Sequence, residues 1–181
     1  MEKSRTDIKN LTLTAALAAL ISVMSLVYVP AYPAPLTMQL FAVYFSLYLG
    51  GGTVGSAAVF IYVALGCLGL PIFPGFRGGL GVLFDATGGF IFGFLLLSLS
   101  YWLITVCIRA SYARLIASFV SLFLLYSLGA TWYTFVYLDG KGFLIAVLVT
   151  VLPFVLPDLL KMYLAYLLAN RLKGKLNSFG L

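Results

Sequence analysis

Apolar runs at 11–29, 37–50, 53–70, 86–108, 115–138 and 142–170 fill this chain, and the breaks between them consist of Gly, Pro and charge. Crossing a hydrocarbon core about 30 Å thick takes roughly 20 helical residues, and most of these runs match that length. Of 181 residues, 63% are hydrophobic and 9% charged, whereas a soluble domain carries roughly a quarter charged residues. The expected fold is an all-α integral membrane protein: six transmembrane helices in one bundle, a single domain over 1–181. The second run is short and the last is too long for one crossing at about 1.5 Å per residue. Pro153 and Pro157 divide the last run, because proline suits the first turn of a helix and disrupts its interior. A surface helix at about 142–151 and a sixth span at about 154–171 follow.

Basic residues set the orientation. Lys3, Arg5 and Lys9 precede the first run, Arg109 and Arg114 bracket the turn between the fourth and fifth, and Arg171, Lys173 and Lys175 follow the sixth. Cytoplasmic flanks accumulate Lys and Arg, so both termini are expected on the cytoplasmic side. The outer side receives 29–37, 68–89 and 137–142, which hold most of the prolines. Residues 1–31 share a basic start, an apolar core and AYPA with secretory signal peptides, but the core is long and is read as a span. Tyr28, Tyr32, Trp132 and Tyr137 near run ends read as interface anchors.

The chain has no histidine, which excludes imidazole-based catalysis and His-ligated zinc. It has no GxxxxGK[ST] loop, so ATP-driven work would need another subunit. The net charge of +6 is not gathered into a stripe with interleaved aromatics, and nucleic acid is not an expected partner. Cys67 and Cys107 lie in different runs and read as packed thiols. The glycines of TGGF (87–90) permit close helix packing or a tight entry turn. Ala15 and Ala19, like Ala18 and Ser22, are four apart and form a shallow strip for another helix. That helix is either a neighbouring span or a partner subunit.

Asp158 and Lys161 sit inside the last apolar run. Counting back from Arg171 at the inner interface, Lys161 lies roughly 15 Å and Asp158 about 20 Å deeper, and residues three apart share a helix face. A charge in hydrocarbon costs at least about 2.5–3.5 kcal/mol. Two readings offset this: an internal ion pair that neutralises itself, or a pocket reached from outside, where a small polar ligand supplies the remaining hydrogen bonds. Arg77 and Asp85 in the long outer loop either close over such a pocket or are solvated. Tyr44, Tyr62, Phe73 and Phe76 are either its apolar wall or packing.

Four segments occur together and in order: PLTMQ (35–39), GLPIFPGFRGGLG (69–81), TGGF (87–90) and the Asp-x-x-Lys of 158–161. Together they resemble the BioY family of biotin transporters, the substrate-capturing S components of energy-coupling factor (ECF) transporters, over essentially the whole chain. The resemblance implies a multi-pass protein of the prokaryotic cell (cytoplasmic) membrane that binds biotin with high affinity in a pocket near the extracellular side. It implies a non-enzymatic subunit without cofactor, docked through Ala15 and Ala19 on a transmembrane coupling subunit that two cytoplasmic ATPases drive. Biotin offers two ureido N–H donors, a ureido oxygen, an apolar ring and tail, and a carboxylate. An ionised Asp158 only accepts and is assigned to the ureido N–H groups. Arg77 is assigned to the ligand as a cationic donor, Lys161 is shared between ligand and Asp158, Gln39 adds a carboxamide, and Phe73 and Tyr44 supply the wall. Asp85–Ala86 stands where the family pattern carries Gly-Pro, so Asp85 is expected to point outward or to pair with Arg77. An S component for another vitamin, or a structural membrane protein with an internal Asp–Lys pair, are the alternatives.

Overall fold

A computed structural model of the chain describes residues 2–30, 35–108, 110, 112–138, 140 and 142–178. Tyr32, Arg109 and the side chains of Lys3 and Arg5 lie outside the described residues. The described residues form six α-helices: α1 (Glu2–Leu26), α2 (Gln39–Cys67), α3 (Gly88–Cys107), α4 (Ala113–Tyr137), α5 (Phe143–Thr150) and α6 (Leu152–Ser178). All but α5 are long and apolar enough to cross a membrane.

The second and third apolar runs fall in α2, which breaks at Gly51 with φ 72° and ψ −179°. Only glycine enters that region cheaply. A Cβ at Gly55 would lie 2.7 Å from the Leu47 Cα, although an unbroken helix would hold those positions about 12 Å apart. The chain therefore doubles back at Gly51. Its arms, 39–50 and 52–67, pack backbone to backbone.

Two ends run past their expected limits. α1 begins at Glu2, and α6 extends from Leu152 to Ser178 with Pro157 inside it. The division between α5 and α6 falls at Val151, which turns to φ −117° and ψ −55° while its carbonyl accepts from Phe154 and Val155. Pro153 thus lies in the first turn of α6. Pro157 removes one N–H without ending the helix.

α3 and α4 pack closely, and glycines are the reason. A Cβ at Gly89 would lie 2.2 Å from the Trp132 Cβ, and one at Gly129 would lie 2.4 Å from the Phe90 ring. The α2 hairpin is central, with α1, α3 and α6 laid against it. Tyr44, Tyr62, Tyr101, Ile21, Leu47 and Leu97 form the deepest core. Outward positions are apolar too: Phe60, Leu103, Phe123, Phe135 and Leu144 are all exposed, as a lipid-facing surface requires. Cys107 belongs to that exposed surface and Cys67 is half-buried, so packing does not enclose Cys107 as expected.

The segments joining α1 to α2 and α2 to α3 are more ordered than plain loops. After α1, β1 (Tyr28–Val29) pairs antiparallel with β2 (Leu36–Thr37), and Met38 N–H donates to Val27 O at 3.0 Å. This fixes where Gln39 starts α2. Between α2 and α3, Phe73 and Arg77 exchange backbone bonds of 2.9 and 3.2 Å around a tip where Gly75 and Phe76 both have positive φ. Gly79 N–H donates to Gly66 O at 2.7 Å, and the Ser25 hydroxyl donates to Ile72 O. A 3-10 helix at Leu80–Phe84 leads into α3.

Candidate functional site

These two segments and the adjoining ends of the helices form a half-open pocket. β2 and α2 contribute Thr37 and Gln39, the loop between α2 and α3 Pro74 and Thr87, α3 Phe90, Ile91 and Phe94, α4 Leu125 and Tyr126, α5 Thr150, and α6 Phe154, Asp158 and Lys161.

Spacing on α6 makes the polar pole. Asp158 and Lys161 share a face, and Lys161 Nζ donates to Asp158 Oδ1 at 2.8 Å. The Tyr126 hydroxyl donates to the other oxygen, Oδ2, at 2.7 Å. Asp158 is 7% and Lys161 8% exposed, yet both line the cavity, so the pair is not sealed against itself. Nζ carries three donors, of which one is committed to Asp158. Gln39 is buried, and its Nε2 has no hydrogen-bond partner among the described residues. A buried donor left unmade costs about 1–3 kcal/mol, which a ligand acceptor at this position would offset. Phe90, Phe94, Phe154 and Leu125 supply the apolar wall. The arrangement suits a ligand that is largely apolar and carries both N–H donors and carbonyl or carboxylate oxygens.

The expected site residues separate into four groups. Gln39, Asp158 and Lys161 meet in the cavity. Tyr44 and Phe73 do not line it. Tyr44 is turned into the core, where its hydroxyl donates to Ser118 O at 2.8 Å. Phe73 lies under the outer loop, edge-on to Tyr62 at 5.6 Å and over Gly66. Both are corrected from ligand wall to packing, because each ring is already enclosed by protein. Ala15 and Ala19 are exposed, whereas Leu17, Ala18, Ile21 and Ser25 turn α1 into the bundle; the strip is not consumed by a neighbouring span. Tyr126, Phe90, Phe94, Thr150 and Phe154 were not anticipated. Tyr126 alone gave a signal, since it lies mid-run, far from the interfaces that explain tyrosines at span ends.

Arg77 sits one residue outside the lining. Its Nη1 pairs with Asp85 Oδ2, its Nη2 donates to Thr87 Oγ1 at 3.3 Å, and its Nε donates to Pro74 O at 3.2 Å. Asp85 Oδ1 also accepts from Ala86 N–H at 2.7 Å and from the Tyr137 hydroxyl at 2.8 Å, and its carbonyl accepts from Trp132 Nε1 at 3.1 Å. Trp132 and Tyr137 therefore tie the loop to α4 in addition to marking a span end. The Ala86 N–H first, then Tyr137 and Arg77, hold the Asp85 carboxyl below the ordinary carboxylate range. Its folded value is depressed, so its stabilisation is complete above the unfolded value of about 3.9 and is lost as pH falls through the folded one. Limited proteolysis of the 68–87 loop should therefore be flat between about pH 5 and pH 8 and rise below about pH 4. Asp85→Asn should raise cleavage at neutral pH and flatten the acid limb.

A family model described as the BioY family matches residues 1–178. The biotin transporter BioY of Thermotoga maritima is 38% identical over 156 residues, covering 86% of this chain and 90% of that one. The probable biotin transporter BioY of Pyrococcus horikoshii is 35% identical over 166 residues, covering 92% and 97%. The crystal structure of the S-component for biotin from an ECF-type ABC transporter has a similar fold, with a TM-score of 0.82 at 22% identity over 94% of this chain and 93% of that chain. With the family model running over nearly the full sequence and these relatives matched along most of their own length, the chain belongs to the BioY family.

Proposed function

We propose that this multi-pass membrane protein captures biotin as the substrate-binding subunit of an ATP-driven transporter of the energy-coupling factor type. One observation carries the reading: a buried carboxylate and ammonium open onto an apolar, aromatic cavity with acceptor and donor capacity to spare. In the pose that this favours, Asp158 accepts the ureido N–H groups, with Tyr126 holding its second oxygen. Lys161 and the unpartnered Gln39 amide donate to ligand oxygens. The thiophane ring and tail lie along Phe90, Phe94 and Phe154. Arg77 meets the ligand carboxylate only by loosening its pairing with Asp85. The bundle crosses six times when the two arms of α2 are counted separately, with both termini in the cytoplasm and the cavity toward the outside. Arg114, Arg171, Lys173 and Lys175 at one end of the bundle support that orientation. The names of the relatives support biotin over another vitamin, and the open cavity disfavours a purely structural ion pair.

Native mass spectrometry of the detergent-extracted protein tests this directly. The expected spectrum carries one biotin mass, displaced by added isotopically labelled biotin and not by other vitamins at the same concentration. Tight binding of a different vitamin, or of none, would overturn the reading.

Docking on a coupling subunit through Ala15 and Ala19 is part of the same proposal, supported by their exposure on α1. Ala15→Trp is expected to leave biotin affinity within about twofold and to abolish energised uptake in cells, since a large side chain prevents the close helix approach that small residues allow. Parallel loss of binding and uptake would place the strip inside the fold.

A further inference from the structure

Among the described residues, both cations beside the ligand pocket already have a carboxylate: Lys161 is paired with Asp158, and Arg77 with Asp85. An anionic ligand therefore meets no uncompensated positive charge until one pair opens. The two pairs differ in what opening them costs. Asp158 and Lys161 are buried and held three apart on one helix, and separating charges at that depth is strongly unfavourable. Arg77 and Asp85 lie in the loop between α2 and α3 with side chains 39% and 36% exposed, where water takes up the bonds that a departing partner leaves.

The bonding of each partner shows which contact gives way. Arg77 Nε donates to Pro74 O at 3.2 Å and Nη2 to Thr87 Oγ1 at 3.3 Å, and Pro74 and Thr87 both line the pocket. Two nitrogens thus fasten the guanidinium at the pocket rim, and Nη1 is the one that goes to Asp85. On Asp85, Oδ1 accepts from Ala86 N–H and the Tyr137 hydroxyl, while Oδ2 accepts from Arg77. Nη1 can leave Oδ2 with the loop still tied to α4 through Oδ1.

We propose, on the reading of the pocket as a biotin site with Arg77 facing the tail carboxylate, that Asp85 is a built-in rival of the ligand's anionic end. It holds Arg77 Nη1 while the pocket is empty and yields it to the ligand carboxylate, and so sets how far the site favours an acid over its neutral amide. A tethered carboxylate acts at high effective concentration, which keeps weakly bound inorganic anions from an otherwise bare guanidinium. A ligand whose ring is already held at Asp158 is tethered in its turn, and its tail competes on equal terms.

Calorimetric titration of the purified protein with biotin and with biotinamide, whose tail is neutral, gives the ratio of the two affinities. Asp85→Asn and Asp85→Ala should each raise the acid-to-amide ratio about threefold or more, since a half-exposed ion pair contributes up to about fivefold. Arg77→Gln should lower the ratio to about one or below, and the effect of Asp85→Asn should shrink in that background. A looser loop weakens both ligands alike and cancels in the ratio. Tyr137→Phe, which removes a tie of the same loop and keeps the carboxylate, should therefore leave the ratio at its unaltered value. A ratio that Asp85→Asn does not move, or that Tyr137→Phe raises equally, would overturn the proposal while biotin binding itself stands. An Asp85→Asn effect of undiminished size without Arg77 would also overturn it, because Asp85 would then only repel the ligand from a distance. Failure of the unaltered protein to bind biotin would overturn the biotin reading, and the role of Asp85 with it.

Discussion

Asp158→Asn is expected to bind biotin at least tenfold more weakly, measured by titration of the purified protein. A hydrogen bond to a charged group contributes about 1.5–3 kcal/mol, and about 1.4 kcal/mol is tenfold. Among the described residues the carboxylate is also the only hydrogen-bond partner of Lys161 Nζ, at 2.8 Å, so removing it altogether has a second effect. Asp158→Ala strands a buried ammonium, which typically costs 3–5 kcal/mol, and the protein should unfold at a lower temperature in detergent. The double variant Asp158→Ala, Lys161→Met removes both charges and should recover most of that thermal loss while remaining unable to hold biotin. Recovery of binding in the double variant, or unchanged affinity in Asp158→Asn, would remove the pair from the site and leave it as structural.

The other large effect concerns the reversal within α2. Gly55→Leu should leave little folded protein, because its Cβ falls against the Leu47 backbone and Ser46 O, and backbone cannot yield as a side chain does. The expected loss is about 3 kcal/mol or more. Gly51→Ala meets nothing within 4 Å and suffers only from φ 72°, a strain of about 1–3 kcal/mol. Monodisperse yield and thermal unfolding should rank them in that order. Native-like stability in Gly55→Leu would mean that the two arms do not pack as described.

Apolar run length and the prolines mark the stretches that become helical, because hydrocarbon thickness sets a length that any spanning segment must meet. The break between the second and third runs was legible at Gly50, Gly51 and Gly52 for the same reason that it folds: only glycine tolerates the reversal. Helix ends were less legible. α1 and α6 continue into their polar flanks, where composition changes but helical propensity does not. For the site, Asp158, Lys161 and Gln39 were visible since a charge or carboxamide among apolar residues demands a partner. Tyr44 and Phe73 misled because an aromatic side chain reads the same whether it faces a cavity or a core. Phe90, Phe94 and Phe154 were missed by the mirror image of that problem. Tyr126 is an intermediate case: its mid-run position could have singled it out, but only the fold shows that its hydroxyl reaches across to another helix.

That reach has a mechanical meaning. α4 and α6 diverge along their length, and Asp158 Oδ2 is the oxygen through which Tyr126 stitches them together. In the proposed pose the guest draws on Asp158 while Tyr126 keeps its own oxygen, so the stitch holds the carboxylate steady between the two helices as the pocket fills.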